Sequence, residues 1–412
     1  MPEQQGKEID YGKPFKQSQM NIGTLGHVDH GKTTLTSAIT HTWTDTHSES
    51  VKRSMTIKLG YADSTIYLCG SPDDDSAYTT EPECANGEAK ALRRISILDA
   101  PGHETLMATA IAGSNIIDAA LFVIAANEQC PMPQTREHMM IINALGIKHV
   151  IVAQTKIDLV GKARAQQHYA QIRQFLKGTA AENAPIIPVM ANRGINVDAL
   201  LKEIAQLPMP QHDTNAEPIM YIARSFDVNR PGTPVSKLLG GVIGGSIIRG
   251  RFKVGDEIEI RPGVNTSQKK DIYEPIITRV ESISSGDTSL DEAIAGGLIA
   301  LGTDLDPSYT KADSLVGQIV GHVGRLPETV TSLHTNYFAL DRPDLPKQAL
   351  KEGEVLLLGI GTGTFIGYVK HMKRNTLEIT LKHPACVEAN EKISILRNFG
   401  QRWRLSGYAI LA

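Results

Sequence analysis

The sequence predicts an α/β domain, with a mostly parallel sheet and helices on both faces, followed by all-β domains. Three observations carry that prediction. From Met20 to about Gln206, apolar β-like runs alternate with helical segments, as in strands joined by helical crossovers. Leu207-Pro208-Met209-Pro210 to Pro218 is a Pro-rich polar connector, which marks a boundary. Beyond it glycines and turn signals recur at short spacing, β-branched residues dominate and long helical patterns disappear.

Residues 1–19 are polar and read as a flexible lead-in. Met20 to Leu25 reads as the first strand. Gly26-His27-Val28-Asp29-His30-Gly31-Lys32-Thr33 follows it, and fits the G-x-x-x-x-G-K-[ST] phosphate loop. Thr33 to Thr42 then carries Leu35, Ala38 and Ile39 at helical spacing. In this context the loop N–H groups converge on phosphate oxygens at a helix N-terminus. Lys32 is expected on the β- and γ-phosphates, and the Thr33 hydroxyl on Mg²⁺.

Ile95 to Leu98, Ala119 to Ala125, Val150 to Ala153 and Ile186 to Val189 are further expected strands. Thr105 to Ile116, Thr135 to Leu145, Ala163 to Phe175 and Val197 to Ala205 are expected helices. Phosphates then sit at the carboxyl ends of the strands. Asp99-Ala100-Pro101-Gly102-His103 lies at one such end. Asp99 is expected to hold Mg²⁺ through water, Gly102 to approach the γ-phosphate closely, and His103 to orient an attacking water. Thr56, in Arg53-Ser54-Met55-Thr56-Ile57, is placed to ligate Mg²⁺ and sense the γ-phosphate in a switch segment. Thr155-Lys156-Ile157-Asp158 follows another strand. The Asp158 carboxylate can accept two hydrogen bonds from guanine, which adenine cannot donate, so GTP is expected over ATP. Lys156 would lay its stem over the base, and Met190-Ala191-Asn192 could offer a backbone N–H to guanine O6.

In the β-rich remainder, Gly240 to Gly263 carries Gly255-Asp256 as a hairpin-type turn, and suggests a closed barrel. A second β segment runs from about Pro327 to Ala412. The expected division is 1–19, 20–207, 208–326 and 327–412.

The whole chain narrows the function classes. It has 412 residues with 41% hydrophobic, 21% charged and a net charge of −3. A basic nonspecific DNA coat is excluded, and any nucleic-acid partner must be met by a local patch. Residues 370–404 hold eight Lys or Arg against three Glu, a locally positive stretch that a solvated barrel surface would also explain. The longest apolar run, about Ala119 to Ala126, is too short to span a bilayer, so no membrane partner is expected. Four cysteines, Cys69, Cys84, Cys130 and Cys386, are scattered without a framework. A reduced, cytoplasmic setting is the simplest reading.

These residues in this order resemble the translational GTPases, and more closely the gamma-subunit family of archaeal and eukaryotic initiation factor 2. GHVDHGKTTL at 26–35 and DAPGHETLM at 99–107 mark the wider group. The stretch 240–263 also matches, and MTIKLGYAD within 53–63 and Arg402-Trp403-Arg404-Leu405-Ser406-Gly407 point to the gamma family. The resemblance implies a P-loop GTPase domain plus two β-barrels. It implies a heterotrimer with alpha and beta subunits that carries methionylated initiator tRNA to the small ribosomal subunit in the GTP state. Asp29, His30, Gly31, Lys32, Thr33, Thr34, Thr155, Lys156, Ile157, Asp158, Met190, Ala191 and Asn192 would be GTP and GDP contacts. Thr33 and Thr56 would be Mg²⁺ ligands, with His103 near the hydrolytic water. A selenocysteine-specific or other elongation-type carrier, and a metabolic GTPase such as the GTP-hydrolysing subunit of sulfate adenylyltransferase, are the alternatives.

Three departures from the family pattern stand out. Thr155 replaces an Asn, losing the amide contact to the base while keeping a hydroxyl that ties loops together. Met190 replaces a Ser, so the backbone contact survives without side-chain support. Many relatives carry a four-cysteine zinc knuckle after the second strand; here Cys69 and Cys84 alone cannot close a tetrahedral site, so no zinc is expected. Finally, Asp29 places a carboxylate beside the triphosphate, where like charges repel by about 4 kcal/mol at 4 Å. Either it braces the loop backbone, or a second cation bridges it to the phosphates, with the Ser54 carbonyl as a further ligand.

Overall fold

A computed structural model describes residues 15–44, 59–84, 87–103, 106–266, 272–342, 344–346, 348–400 and 402–412. The first domain is built on β1 (Met20–Leu25), β2 (Gly60–Leu68), β3 (Tyr78–Thr79), β4 (Glu83–Cys84), β5 (Gly87–Glu88), β6 (Lys90–Asp99), β7 (Ala119–Ala125), β8 (His149–Thr155) and β9 (Ile186–Pro188). Its main sheet runs β3-β2-β6-β1-β7-β8-β9. Pairings from β6 through β9 are parallel, and β2 is antiparallel to β6.

Among the described residues five α-helices cover the sheet: α1 (Lys32–Thr40), α2 (Met107–Ser114), α3 (Pro133–Leu145), α4 (Lys162–Leu176) and α5 (Val197–Gln206). Leu35 and Ile39 of α1 and Leu200, Leu201 and Ile204 of α5 pack on one face against Ile22, Ile97 and Leu121. Met139 and Ile142 of α3 and Ile172 and Leu176 of α4 pack on the other against Phe122, Ile124 and Val152. Central strands buried on both faces need unbroken apolar runs, and Ala119 to Ala125 is such a run, buried throughout. The first helix stops at Thr40, two residues before the expected end, because His41 turns left-handed at φ 56°.

The second domain closes on itself in the order Glu257–Asn265, Ile319–His322, Ile219–Phe226, Val242–Arg249, Leu298–Thr303 and Tyr273–Ser285, the last strand pairing back to the first. The third is a closed barrel of Thr329–Ala339, Thr376–Cys386, Gly363–Lys373, Val355–Ile360, Ile393–Phe399 and Arg402–Leu411. Closure removes the exposed edges that short antiparallel strands would otherwise present.

The domains are tied by buried contacts. Met107 and Ile111 of α2 and Ile141 and Ala144 of α3 pack with Leu396 and Leu405 of the third domain. Asn21 Nδ2 donates to Ser246 Oγ at 2.9 Å, and Thr362 Oγ1 to the Ile222 carbonyl at 2.5 Å.

Three expectations change here. Residues 15–19 are not a free lead-in. Gln17 is 3% exposed; its amide donates to the Ile294 and Gly296 carbonyls at 2.6 and 2.7 Å and accepts from Ile294 N–H at 3.1 Å. A polar side chain can be buried here because barrel backbone satisfies it, so the segment straps the first domain to the second. Cys69 and Cys84 are not scattered thiols but a disulfide, closing the insert that contains β3. Cys130 and Cys386 are free. The 370–404 stretch is less basic at its surface than its composition: Arg397 is buried on Glu354 at 2.6 Å, and Lys392 Nζ donates to the Ala144 carbonyl at 2.9 Å. Lys370 is paired with Glu378.

Candidate nucleotide site

Those expected site residues that are described lie at the carboxyl edge of the sheet, on the turns after β1, β6, β8 and β9. The turn after β1 delivers α1 at Lys32. Gly31 stands at its start with φ 85°, a left-handed conformation that a side chain resists. Lys32 is buried, and its Nζ donates to the His27 carbonyl at 2.8 Å. Burial pulls its pKa down to about 8, against the opposing pull of Asp99 and Asp29. A polyphosphate would supply the negative charge that restores the ammonium.

β6 ends on Asp99, which is fully buried. Three hydroxyls donate to its carboxylate: Thr24 at 3.0 Å, Thr33 at 2.6 Å and Thr44 at 2.9 Å. Hard divalent cations take oxygen ligands, and the Thr33 hydroxyl beside this carboxylate at the mouth of the loop is a fitting set for Mg²⁺. A Cβ on Gly102 would stand 2.4 Å from Lys32 Nζ and 2.9 Å from the Gly26 carbonyl. Only glycine lets the strand end approach the loop so closely. His103 follows, half-buried, close enough to His27 for their charges to interact.

Asp29 is exposed with φ 59°. Among the described residues no hydrogen bond ties its carboxylate to the loop backbone, so the bracing role is not seen. Thr34 is half-buried in the first turn of α1. Thr56 and Ser54 lie outside the described residues.

Thr155 is buried at the end of β8, and its hydroxyl donates to the His30 carbonyl at 2.6 Å. The base loop is thereby fastened to the phosphate loop. Lys156 has φ 56°, and Asp158 is exposed just beyond it. The Met190 N–H donates to the Ile195 carbonyl at 3.1 Å, so that amide is already engaged within its own loop.

Sequence reading missed several supports. Thr24 faces Asp99 because parallel β1 and β6 pair them in register, which no local pattern reveals. His30 turns inward: Nδ1–H donates to the Val123 carbonyl at 3.1 Å, and Nε2 lies 3.3 Å from Glu128. Burial lowers its pKa to about 4, so the ring is neutral and only its backbone borders the loop opening. Glu128 carried no motif signal.

Residues 17–209 match the family described as elongation factor Tu GTP binding domain, and residues 240–321 the one described as elongation factor Tu domain 2. Residues 331–411 match initiation factor eIF2 gamma, C terminal. Proteins named translation initiation factor 2 subunit gamma from Methanococcus vannielii and Pyrococcus furiosus are each 49% identical, over 96% of this chain and 98% of theirs. The one from Methanocaldococcus jannaschii is 48% identical over 97% of this chain. A solved bacterial selenocysteine-specific elongation factor aligns at TM-score 0.74 and 26% identity, covering 96% of this chain and 58% of that one. The elongation factor SelB from Methanococcus maripaludis, in complex with the GTP analogue GppNHp, aligns at 0.71 and 23%, covering 96% and 79%; at that identity the likeness is one of fold.

Proposed function

The chain belongs to the gamma-subunit family of translation initiation factor 2, and from that premise we propose that it carries methionylated initiator tRNA to the small ribosomal subunit in its GTP state. It is a translational GTPase and hydrolyses GTP. Its partners on this reading are the alpha and beta subunits of a heterotrimer, and its setting is the cytoplasm. No helix among the described residues is long and apolar enough to cross a membrane. The GTPase domain is assigned to 20–207 and the two barrels to 208–326 and 327–412.

Phosphoryl transfer to water needs positioning and charge rather than covalent chemistry from the protein. Lys32 and the loop amides hold the β- and γ-phosphates. Thr33 and Asp99 would hold Mg²⁺, which neutralises charge on the phosphate oxygens. Gly102 leaves room for the γ-phosphate, and His103 orients the attacking water. Asp158 selects guanine.

One observation supports the tRNA half of the reading. A cleft of about 240 Å³ opens between the first domain and the first barrel, lined by Tyr61, Asp63, Arg224, Phe226 and Ser284. It combines apolar walls with a cation, and the Tyr61 hydroxyl is buried without a partner among the described residues. An aminoacylated 3′ end needs both. Filter binding of aminoacylated initiator against elongator tRNA, with GTP and with GDP, tests it: initiator preference confined to GTP is expected, and equal retention of both tRNAs refutes it. The elongation-type alternative is disfavoured by near-half identity to gamma subunits along the whole chain, against about a quarter for the selenocysteine-specific factors.

Two finer readings belong to the same site. In the GTP state Asp29, together with the Ser54 carbonyl, would hold a second cation, Mg²⁺ or monovalent, that would offset the charge of the phosphates. The exposed, untethered Asp29 carboxylate supports this. A GTP-analogue crystal structure with one ion, and Asp29 on backbone alone, would remove it. The protein binds no zinc, since the Cys69 and Cys84 sulfurs are spent on each other; one zinc per chain in elemental analysis would overturn that.

A further inference from the structure

We propose that Gln154 and His168 are positioning residues of the guanine-reading loop, and that they set the base specificity of the site rather than its grip on phosphate. The loop that carries Asp158 leaves the sheet at the end of β8 and returns as α4. Gln154 stands on the first of these two stems. Its amide Nε2 donates to the Ala165 carbonyl at 2.9 Å and lies 3.0 Å from His168 Nδ1. Both partners belong to α4, 11 and 14 positions further along the chain. One side chain thus closes the two stems of the loop on each other. Gln154 is 2% exposed and His168 0%, so both are shielded from competing water.

The polarity of this contact is fixed. A carbonyl only accepts, so the amide nitrogen of Gln154 must face Ala165. Its second hydrogen then meets His168 Nδ1, which has to accept, and the ring proton sits on Nε2. Burial keeps the imidazole neutral, with its pKa down to about 4, as that acceptor role requires. Neighbouring residues on a strand point to opposite faces. Thr155 therefore turns the other way, and its hydroxyl donates to the His30 carbonyl at 2.6 Å. The Gln154 carbonyl takes the Val189 N–H at 2.8 Å, and the Thr155 carbonyl takes the Ala126 N–H at 2.8 Å. Thr155 fastens the base loop to the phosphate loop, and Gln154 fastens it to its own return helix. A binding group works only when supporting side chains hold it within about 0.5 Å of its place. Asp158 is exposed, in the single turn Ile157–Leu159, so its own packing cannot supply that precision, and closed stems can. A carboxylate that must meet two guanine donors at once is also more sensitive to a shift than a lysine ammonium, which meets phosphate as a point charge.

The inference rests on the reading of Asp158 as the guanine contact. The test measures the affinity of the full chain for GDP and for inosine diphosphate by competition, since hypoxanthine lacks only the amino group of guanine that Asp158 would meet. The native chain is expected to prefer GDP about tenfold or more, as for a hydrogen bond to a charged group. Gln154→Met keeps the volume and loses both donors, and should lower that preference about fivefold. His168→Leu should lower it in the same direction. His168→Asn, whose side-chain carbonyl can accept the same hydrogen, should hold it near the native value. Equal weakening of both nucleotides in Gln154→Met, with the preference unchanged, means general loosening and overturns the proposal. So does a His168→Asn variant no closer to native than His168→Leu. A native chain that binds GDP without preferring it removes the reading of Asp158, and the proposal with it. A crystal structure of the native chain with GDP decides the case independently of whether the variants fold. Asp158 on the base, with the Gln154 amide on Ala165 and His168, is expected, and a Gln154 side chain turned away from α4 overturns the proposal.

Discussion

Replacing Arg342 with Ala removes the buried cation that joins the third domain to the GTPase domain. Its guanidinium donates to both Glu137 oxygens, at 2.5 and 3.2 Å, and to the Leu405 carbonyl at 2.6 Å. Asp344 takes the remaining side at 2.8 and 2.9 Å. The Arg342 and Glu137 side chains are 5% and 4% exposed. Breaking such a pair by deleting one partner costs about 3–5 kcal/mol, chiefly because the other charge stays buried and unmatched. Arg404 Nη1 lies 3.5 Å from the same Glu137 oxygen and partly meets the stranded carboxylate. The lower end, about 3 kcal/mol, is therefore expected, roughly a hundredfold in an equilibrium constant. A chain of three domains does not unfold in one step, so a single melting curve is the wrong readout. Native-state hydrogen exchange reports the local opening instead. Arg342→Ala should speed exchange of α3 and of Arg402–Leu411 about a hundredfold, leaving β7 and β8 unchanged. The pair Arg342→Met with Glu137→Leu replaces both charges by apolar groups and should recover most of the protection. Unchanged exchange in Arg342→Ala, or a double variant as exposed as the single one, refutes this account of the interface.

Four further outcomes are expected. His103→Ala should keep nucleotide binding and slow stimulated hydrolysis about 10²-fold, as for loss of a positioned catalytic group; unchanged single-turnover rates would make His103 structural. Asp158→Asn should shift preference from GTP toward xanthosine triphosphate, and equal GTP affinity in competition binding would remove it from the site. Burial holds His30 and His168 down to about 4 and His138 to about 3, so the unfolded chain binds more protons below about pH 6.5, its ordinary histidine value. Stability is then complete above that pH and is lost as pH falls toward 4; urea midpoints that match at pH 7 and pH 5 would contradict this. Alkylation of the denatured, unreduced chain should label Cys130 and Cys386 only, with Cys69 and Cys84 reacting after reduction; four labelled thiols without reductant would deny the disulfide.

The phosphate loop was legible because its chemistry is local. Eight consecutive residues, a strand before and a helix after, carry their own geometry. Ala119 to Ala125 was legible for a related reason: a strand buried on both faces has to be apolar throughout, and that is a property of seven adjacent residues. What could not be read depends on pairs far apart in sequence. Thr24 reaches Asp99 through strand register, Gln17 finds its partners 277 residues away or more, and Cys69 meets Cys84 only once the insert between β2 and β6 folds back. Composition misled where charges were already spent. Arg397 counts toward a basic stretch in the sequence, yet it is buried in the third domain on Glu354.

The same distinction separates the parts of this molecule that bind from the part that couples. Helix α3 carried no motif for coupling, only an apolar period that placed it on the sheet. Its adjacent residues Glu137 and His138 are both buried, and Glu137 holds Arg342 of the third domain. Met139 and Ile142, just beyond them, lock the helix onto the sheet. A rigid helix so anchored cannot yield at one of these residues without moving the other, because they share a backbone and a fixed rise of about 1.5 Å. The buried Glu137–Arg342 ion pair is therefore a fixed point between this helix and the third domain. If α3 transmits the nucleotide state, weakening that pair with Arg342→Ala should alter nucleotide dissociation as well as the docking of the third domain, and a change in docking alone would confine α3 to a structural role.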